Sequence, residues 1–226
     1  MSVNIAANPW RSRRKARTDH ELKREAVVRA AARAFNERGF HNTSLDEIAA
    51  ALQVTKPTLY YYVESKEQLL FQCFCAGLEP IRASFREPPP RREPPHAVQR
   101  ARDRLHTVLL RYAQAVASDF GWCMVRAEDQ DLSVTMRTHV KAMKSEIDQG
   151  IRTLLREGIS DGSIADCDPK MTAFALAGAL NWIAHWYRDK QPQSAEQVAA
   201  AFVALFENGL LPRDRLLRPI APSVTP

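Results

Sequence analysis

The chain has 226 residues, 45% hydrophobic and 26% charged, enough to bury one sizeable core or two modest ones, which excludes a disordered chain and one dependent on disulfide staples. With only 8 glycines, and with β-branched residues thin beside Ala, Leu, Arg and Glu, an all-β fold is excluded and helices are expected. The net charge of +6 is uneven: residues 1–66 hold 12 Lys and Arg against 7 Asp and Glu, the remainder 20 against 19, the pattern of a polyanion-binding module on a neutral body, although a solvated basic tail gives the same sum.

In chain order, Arg11, Arg13, Arg14, Lys15 and Arg17 make residues 1–17 a basic arm without apolar periodicity. Thr18-x-x-Glu21 reads as a capping box, and Leu22, Ala26, Val27, Ala30, Ala34 and Phe35 recur at helical spacing up to Gly39, so the first helix is predicted over 20–38. Thr43-x-x-Asp46 and Ser44-x-x-Glu47 are two overlapping caps for a short second helix through Leu45, Ile48, Ala49 and Leu52. Thr55 caps a third, with Pro57 in its first turn, over 56–62. Ser65-x-x-Gln68 opens a long apolar helix through Leu69, Phe74 and Leu78, with Pro80 expected to kink it. EPPPRREPP at 87–95 is an extended connector. Beyond it, helices are predicted at 96–117, 121–129, 133–157, 169–188 and 195–208, started by signals such as Asp168-Pro169 and Ser194-x-x-Gln197, with stops at Gly158 and Gly209.

The stretch TSLDEIAAALQVTKPTLYYYVESK, residues 43–66, places two short helices around a tight turn, with Leu45, Ile48, Leu52, Val54, Leu59 and Val63 able to form one apolar cluster: a helix-turn-helix. Leu59 and Val63 point inward at i and i+4, leaving Lys56, Thr58, Tyr61 and Tyr62 outward and Tyr60 at the margin. Ammonium, hydroxyl and phenol groups reach phosphates and base edges in a major groove. The alternative is that the three tyrosines dock the helix on its neighbour, but so short a helix cannot bury three consecutive side chains about 100° apart. The four cysteines, Cys73, Cys75, Cys123 and Cys167, lack metal or redox spacing and read as buried thiols of a cytosolic protein. Histidines 96, 106, 139 and 185 add no ligand pattern, so no metal or cofactor is expected. No phosphate loop or nucleophile elbow points to an enzyme. No signal-peptide run opens the chain, and Met171–Tyr187, interrupted by Asn181 and His185, is too short for a membrane span and reads as a buried helix.

LKREAVVRAAARAFNERGFHNTSLDEIAAALQVTKPTLYYYVESKEQLL resembles the DNA-binding domain of the TetR family of one-component bacterial regulators, on Phe35, Gly39-Phe40, Thr43-Ser44, Ile48-Ala49, Val54, Leu59-Tyr60 and Ser65-Lys66-Glu67. The resemblance implies an all-α protein: a helix-turn-helix DNA-binding domain at 18–66, a larger helical effector-binding and dimerisation domain at 67–212, and a tail at 213–226. It makes Thr43 and Lys66 phosphate contacts, puts Thr55, Lys56, Thr58, Tyr61 and Tyr62 at or near base edges and backbone, and lets Tyr60 bridge phosphate and core. Pro57 stands where many members carry Gly. The basic arm either tracks the DNA or is a solvated tail.

A narrower resemblance lies in GALNWIAHWYR and SAEQVAAAFVALFENGL, similar to TetR-family regulators of fatty-acid, sterol and aromatic-acid catabolism with acyl-CoA effectors. It implies that Trp182 and Trp186 line an acyl path, Asn181 bonds an amide, and Arg188 or Arg126 meets CoA phosphates. His185 stands where some relatives carry Arg. Aromatic residues on a helix are also ordinary core. The expected function is a homodimeric repressor released from its DNA operator by a small-molecule effector. The alternative is a helical small-molecule-binding or scaffolding protein.

Overall fold

The computed structural model describes residues 16–87, 100–188 and 192–209. The expectations for the basic arm, the proline-rich connector and the 213–226 tail lie almost wholly outside them. The described residues form nine α-helices and no strand: α1 (Ala16–Arg38), α2 (Leu45–Ala51), α3 (Lys56–Tyr60), α4 (Lys66–Ser84), α5 (Ala101–Val116), α6 (Gly121–Val125), α7 (Val134–Ser160), α8 (Pro169–Trp186) and α9 (Ala195–Asn208). The all-α expectation holds.

Local capping sets most of the starts. Ser44 and Glu47 make the full reciprocal box at α2: Glu47 N–H donates to Ser44 Oγ at 3.2 Å, and Ser44 N–H to Glu47 Oε2 at 2.7 Å. Ser65 caps α4, Asp168 caps α8 ahead of Pro169, and Ser194 with Gln197 boxes α9. At α5 the N-cap residue, Arg100, offers no side-chain bond. Asp161, at the end of α7, accepts from Ala101 N–H at 2.9 Å instead, and that bond is the first cause holding its carboxyl below the ordinary 3.8.

Several boundaries differ from the sequence reading. Helix α1 is already helical at Ala16, so Thr18 lies inside it and is no cap. Helix α3 ends at Tyr60 because the amides of Tyr62 and Val63 both turn back to Leu59 O, closing the helix into a turn. Helix α6 stops at Val125, where the amides of Arg126 and Ala127 share Trp122 O, and a short 3-10 turn follows at Asp129–Asp131. Gly158 is no stop: α7 runs through it to Ser160, and an added Cβ there would collide with Ile164. The turn that ends α7 contains Gly162 at φ +71° instead. Helix α4 carries Pro80 and runs on to Ser84.

Helices α1 to α3 build a head around Val27, Ala31, Phe35, Ile48, Ala49, Leu59 and Val63, all buried, with Leu45, Leu52 and Val54 partly buried against them. Helix α4 closes the head with Leu69 and Leu70, then continues into the second body through Cys73, Phe74, Leu78 and Ile81. There α5 is central, packed on α4, α7, α8 and α9. Polar contacts also join the two parts: Asp119, after α5, takes Arg33 Nε at 3.1 Å and lies 3.8 Å from Arg29 of α1. His41 Nε2 lies 3.1 Å from Asp131.

Cys73 and Cys123 are buried, Cys75 and Cys167 only partly, and all four are free thiols. Burial pushes the Cys73 thiol well above its ordinary value. Among the described residues no group of three His, Cys, Asp or Glu side chains could hold a metal, and no helix is long and apolar enough to cross a membrane.

Candidate nucleic-acid interface

The turn between α2 and α3 is a Schellman stop. Gln53 N–H bonds Ala50 O and Val54 N–H bonds Ala49 O, both at 3.0 Å, with Gln53 held at φ +57°. Two residues on, Thr55 caps α3: its hydroxyl accepts from Thr58 N–H at 3.4 Å and pairs with the Thr58 hydroxyl at 2.8 Å. Leu59 and Val63 seat the short helix on the core, so its outer side is presented by packing rather than by its own stability.

On that outer side Tyr61 is 72% exposed and Tyr60 48%. Tyr62 is partly buried against the core, its ring 5.1 Å from both His20 of α1 and Tyr61. The margin expected for Tyr60 therefore belongs to Tyr62, because α3 closes into a turn after Tyr60 and rotates the third tyrosine inward. Lys56 is exposed, and its Nζ donates to Asp46 Oδ2 of α2 at 2.8 Å. That bond holds the ammonium above its ordinary 10.5 and aims it across the helix pair.

Two expected phosphate contacts are used within the chain. Thr43 is 2% exposed, and its hydroxyl donates to Gly39 O at 2.9 Å and Ala34 O at 3.2 Å. The phosphate role does not fit this side chain: Ser44 takes the outward cap, which frees Thr43 to satisfy the end of α1. Lys66 donates to Phe40 O at 2.9 Å, and its ammonium lies 4.4 Å from the centroid of the Phe40 ring. It retains donors, but it also ties α4 to the α1–α2 turn. Sequence reasoning read Asp46 as a cap partner of Thr43 and missed its bond to Lys56, as it missed the contact of His20 with Tyr62; both partners lie ten or more residues away.

The six residues expected around an effector do not all face the same way. Trp182 is 62% exposed and stacks on His185, itself exposed, with centroids 4.7 Å apart. Asn181 faces α5, where its Oδ1 accepts from Tyr112 O–H at 3.1 Å, and burial pushes the Tyr112 phenol up. Trp186 is partly buried beside Tyr187, whereas Arg126 and Arg188 are exposed at the ends of α6 and α8. Trp182 and His185 continue an outer stripe of α8 with Met171, Phe174, Ala175 and Gly178. The sequence reading of Met171–Tyr187 as a buried helix therefore holds only for its inner face, because the same i, i+4 spacing serves an inner face and an outer one.

Comparison with known proteins agrees with this architecture. Residues 27–73 match the family described as bacterial regulatory proteins, tetR family, and residues 98–210 the tetracyclin repressor-like, C-terminal domain. The HTH-type transcriptional repressor KstR2 of Rhodococcus jostii is 25% identical over 195 residues, 83% of this chain and 91% of that protein. The TetR family regulator PfmR of Thermus thermophilus superposes with a TM-score of 0.69 at 26% identity, covering 82% of this chain and 99% of that one. AibR in complex with isovaleryl coenzyme A and operator DNA superposes with a TM-score of 0.64 at 25% identity, covering 80% and 96%. With the helix-turn-helix head, the helical second body and both family matches in place, the chain belongs to the TetR family of bacterial transcriptional regulators.

Proposed function

We propose that this regulator is a homodimeric repressor that reads a two-fold symmetric operator with α3 of each protomer and leaves it when an acyl-CoA thioester binds. The observation that carries the DNA part is the outer side of α3, where Tyr61, Tyr60 and Lys56 stand exposed beside Thr55, the exposed cap of that helix. Thr58, half-buried beside Thr55, borders the same surface. The effector class rests on likeness to AibR, whose complex holds isovaleryl coenzyme A and operator DNA. Asn181 with Tyr112, and Trp186, are the inward groups that suit an effector's amide and apolar parts, with Arg126 and Arg188 for its phosphates. Trp182 and His185 are assigned to the dimer.

Dimer symmetry sets the reading distance: half-sites lie about 34 Å apart, or a multiple of that, so a small change in head separation lowers affinity. Linkage then requires that operator-bound protein hold the effector more weakly, by the same factor.

Fluorescence anisotropy with DNA from the promoter of its own gene tests both parts. Tyr61→Ala is expected to weaken specific binding by about 1–3 kcal/mol, the usual cost of one base contact, with helix content unchanged. Isovaleryl-CoA or a longer thioester is expected to release the DNA and raise the melting temperature. Sequence-indifferent binding untouched by Tyr61→Ala would sink the operator reading. A thioester panel that neither binds nor releases would sink the effector alone.

A further inference from the structure

A cavity of about 340 Å³ opens in the second body between the first half of α5, the end of α7, the turn after it, and both α8 and α9. Its floor is aliphatic. Leu105, Leu109, Leu155 and Leu176 are buried there, and Ile164 and Phe206 complete the lining. None of the residues assigned above to DNA or to the thioester lines it. Its volume falls at the small end of the range for small-molecule sites, too little for a whole coenzyme A ester.

The charges at its mouth decide what it takes. Glu207 of α9 is matched from α5: His106 Nδ1 lies 2.9 Å and Arg102 Nε 3.7 Å from its carboxylate. The arginine's charge is therefore already answered within the chain. Asp166, the other carboxylate of the lining, has no hydrogen-bond or ion-pair partner among the described residues. The Ser163 hydroxyl accepts from Arg102 N–H at 3.3 Å, and Thr172 adds a second hydroxyl. An aliphatic floor under one unmatched negative charge favours a single positive head on an apolar body, and disfavours an anion.

We propose that this cavity is a second ligand site, for a small organic amine bound as its ammonium, with the head at Asp166 and the alkyl or aryl body on the leucine floor. It is separate from the thioester site proposed above and does not depend on it.

Three probes with one body and different heads test it by calorimetry on the full chain: 4-phenylbutylamine, 4-phenylbutanol and 4-phenylbutyrate. Asp166 is exposed at the mouth, so the amine is expected to bind about two- to fivefold more tightly than the alcohol, as an exposed ion pair allows, and the carboxylate most weakly. Asp166→Asn brings the amine to the level of the alcohol and leaves the alcohol unchanged. Leu109→Phe narrows the floor and weakens amine and alcohol alike, and Leu176→Phe does the same from α8 should the first variant fold poorly. Operator binding serves as the check that each variant is intact. Failure of all three probes to bind, equal binding of amine and carboxylate, or an amine preference that survives Asp166→Asn would each overturn the proposal, and none would touch the DNA reading.

Discussion

Thr43 spends its hydroxyl on two carbonyls at the end of α1, Gly39 O and Ala34 O. A buried carbonyl stripped of its donor costs about 1–3 kcal/mol, so Thr43→Val, which keeps the shape and removes the proton, is expected to lower head stability by roughly that amount. Thr43→Ser keeps the donor and is expected to lose less. Both variants should hold operator DNA with parent affinity at temperatures where they are folded, because the side chain does not reach the surface. Paired melting and anisotropy curves separate the outcomes: a stable Thr43→Val protein with weakened DNA binding would return Thr43 to a phosphate. Tyr61 is the opposite case. Its exposed ring contributes little to the fold, so its removal should appear in DNA affinity and scarcely in the melting curve.

The α2 capping box titrates. Its carboxyl, Glu47, is held below the ordinary 4.5 first by the Ser44 amide, then by the Ser44 hydroxyl, with Arg38 adding to both. A carboxyl whose folded value is depressed contributes its stability above the unfolded value and loses it as pH falls through the folded one. Melting temperatures taken from pH 6 down to pH 3 should therefore fall below about 4.5. Glu47→Gln keeps an acceptor for the Ser44 amide without a titrating proton, so the gap between variant and parent should close as the pH drops. A gap that stays constant with pH would remove Glu47 from the acid response. Caps of this kind, Ser44 with Glu47, Ser194 with Gln197, Asp168 before Pro169, were legible in sequence because every partner lies within three residues. Asp161 on Ala101, sixty residues apart, was not. Nor was the inward turn of Tyr62, which depends on where His20 of α1 comes to rest.

The outer side of α8 brings the molecule to its assembly. Met171, Phe174 and Trp182 are each at least half exposed there, Leu205 of α9 is 43% exposed, and Ala200, Ala201 and Ala204 are exposed on α9. So much apolar surface on two helices that both pack on α5 is what a monomer avoids and a helix-pair interface requires. Gly178 sharpens the argument, because a Cβ added to it would meet nothing within 4 Å. Packing within the chain gives no reason for glycine in mid-helix, where it costs about 1 kcal/mol against alanine, whereas a partner helix crossing close to α8 gives one. If α8 and α9 meet their copies in a four-helix contact, Gly178→Leu should leave the monomer's helix content intact or improved, shift sedimentation from dimer to monomer, and weaken operator binding more than tenfold by uncoupling the two heads. Charge reinforces the loss: the +5 of residues 1–66 is presented twice by a dimer and once by a monomer, so the salt dependence of binding should flatten with it. A Gly178→Leu chain that remains dimeric and melts higher would place the contact between copies elsewhere.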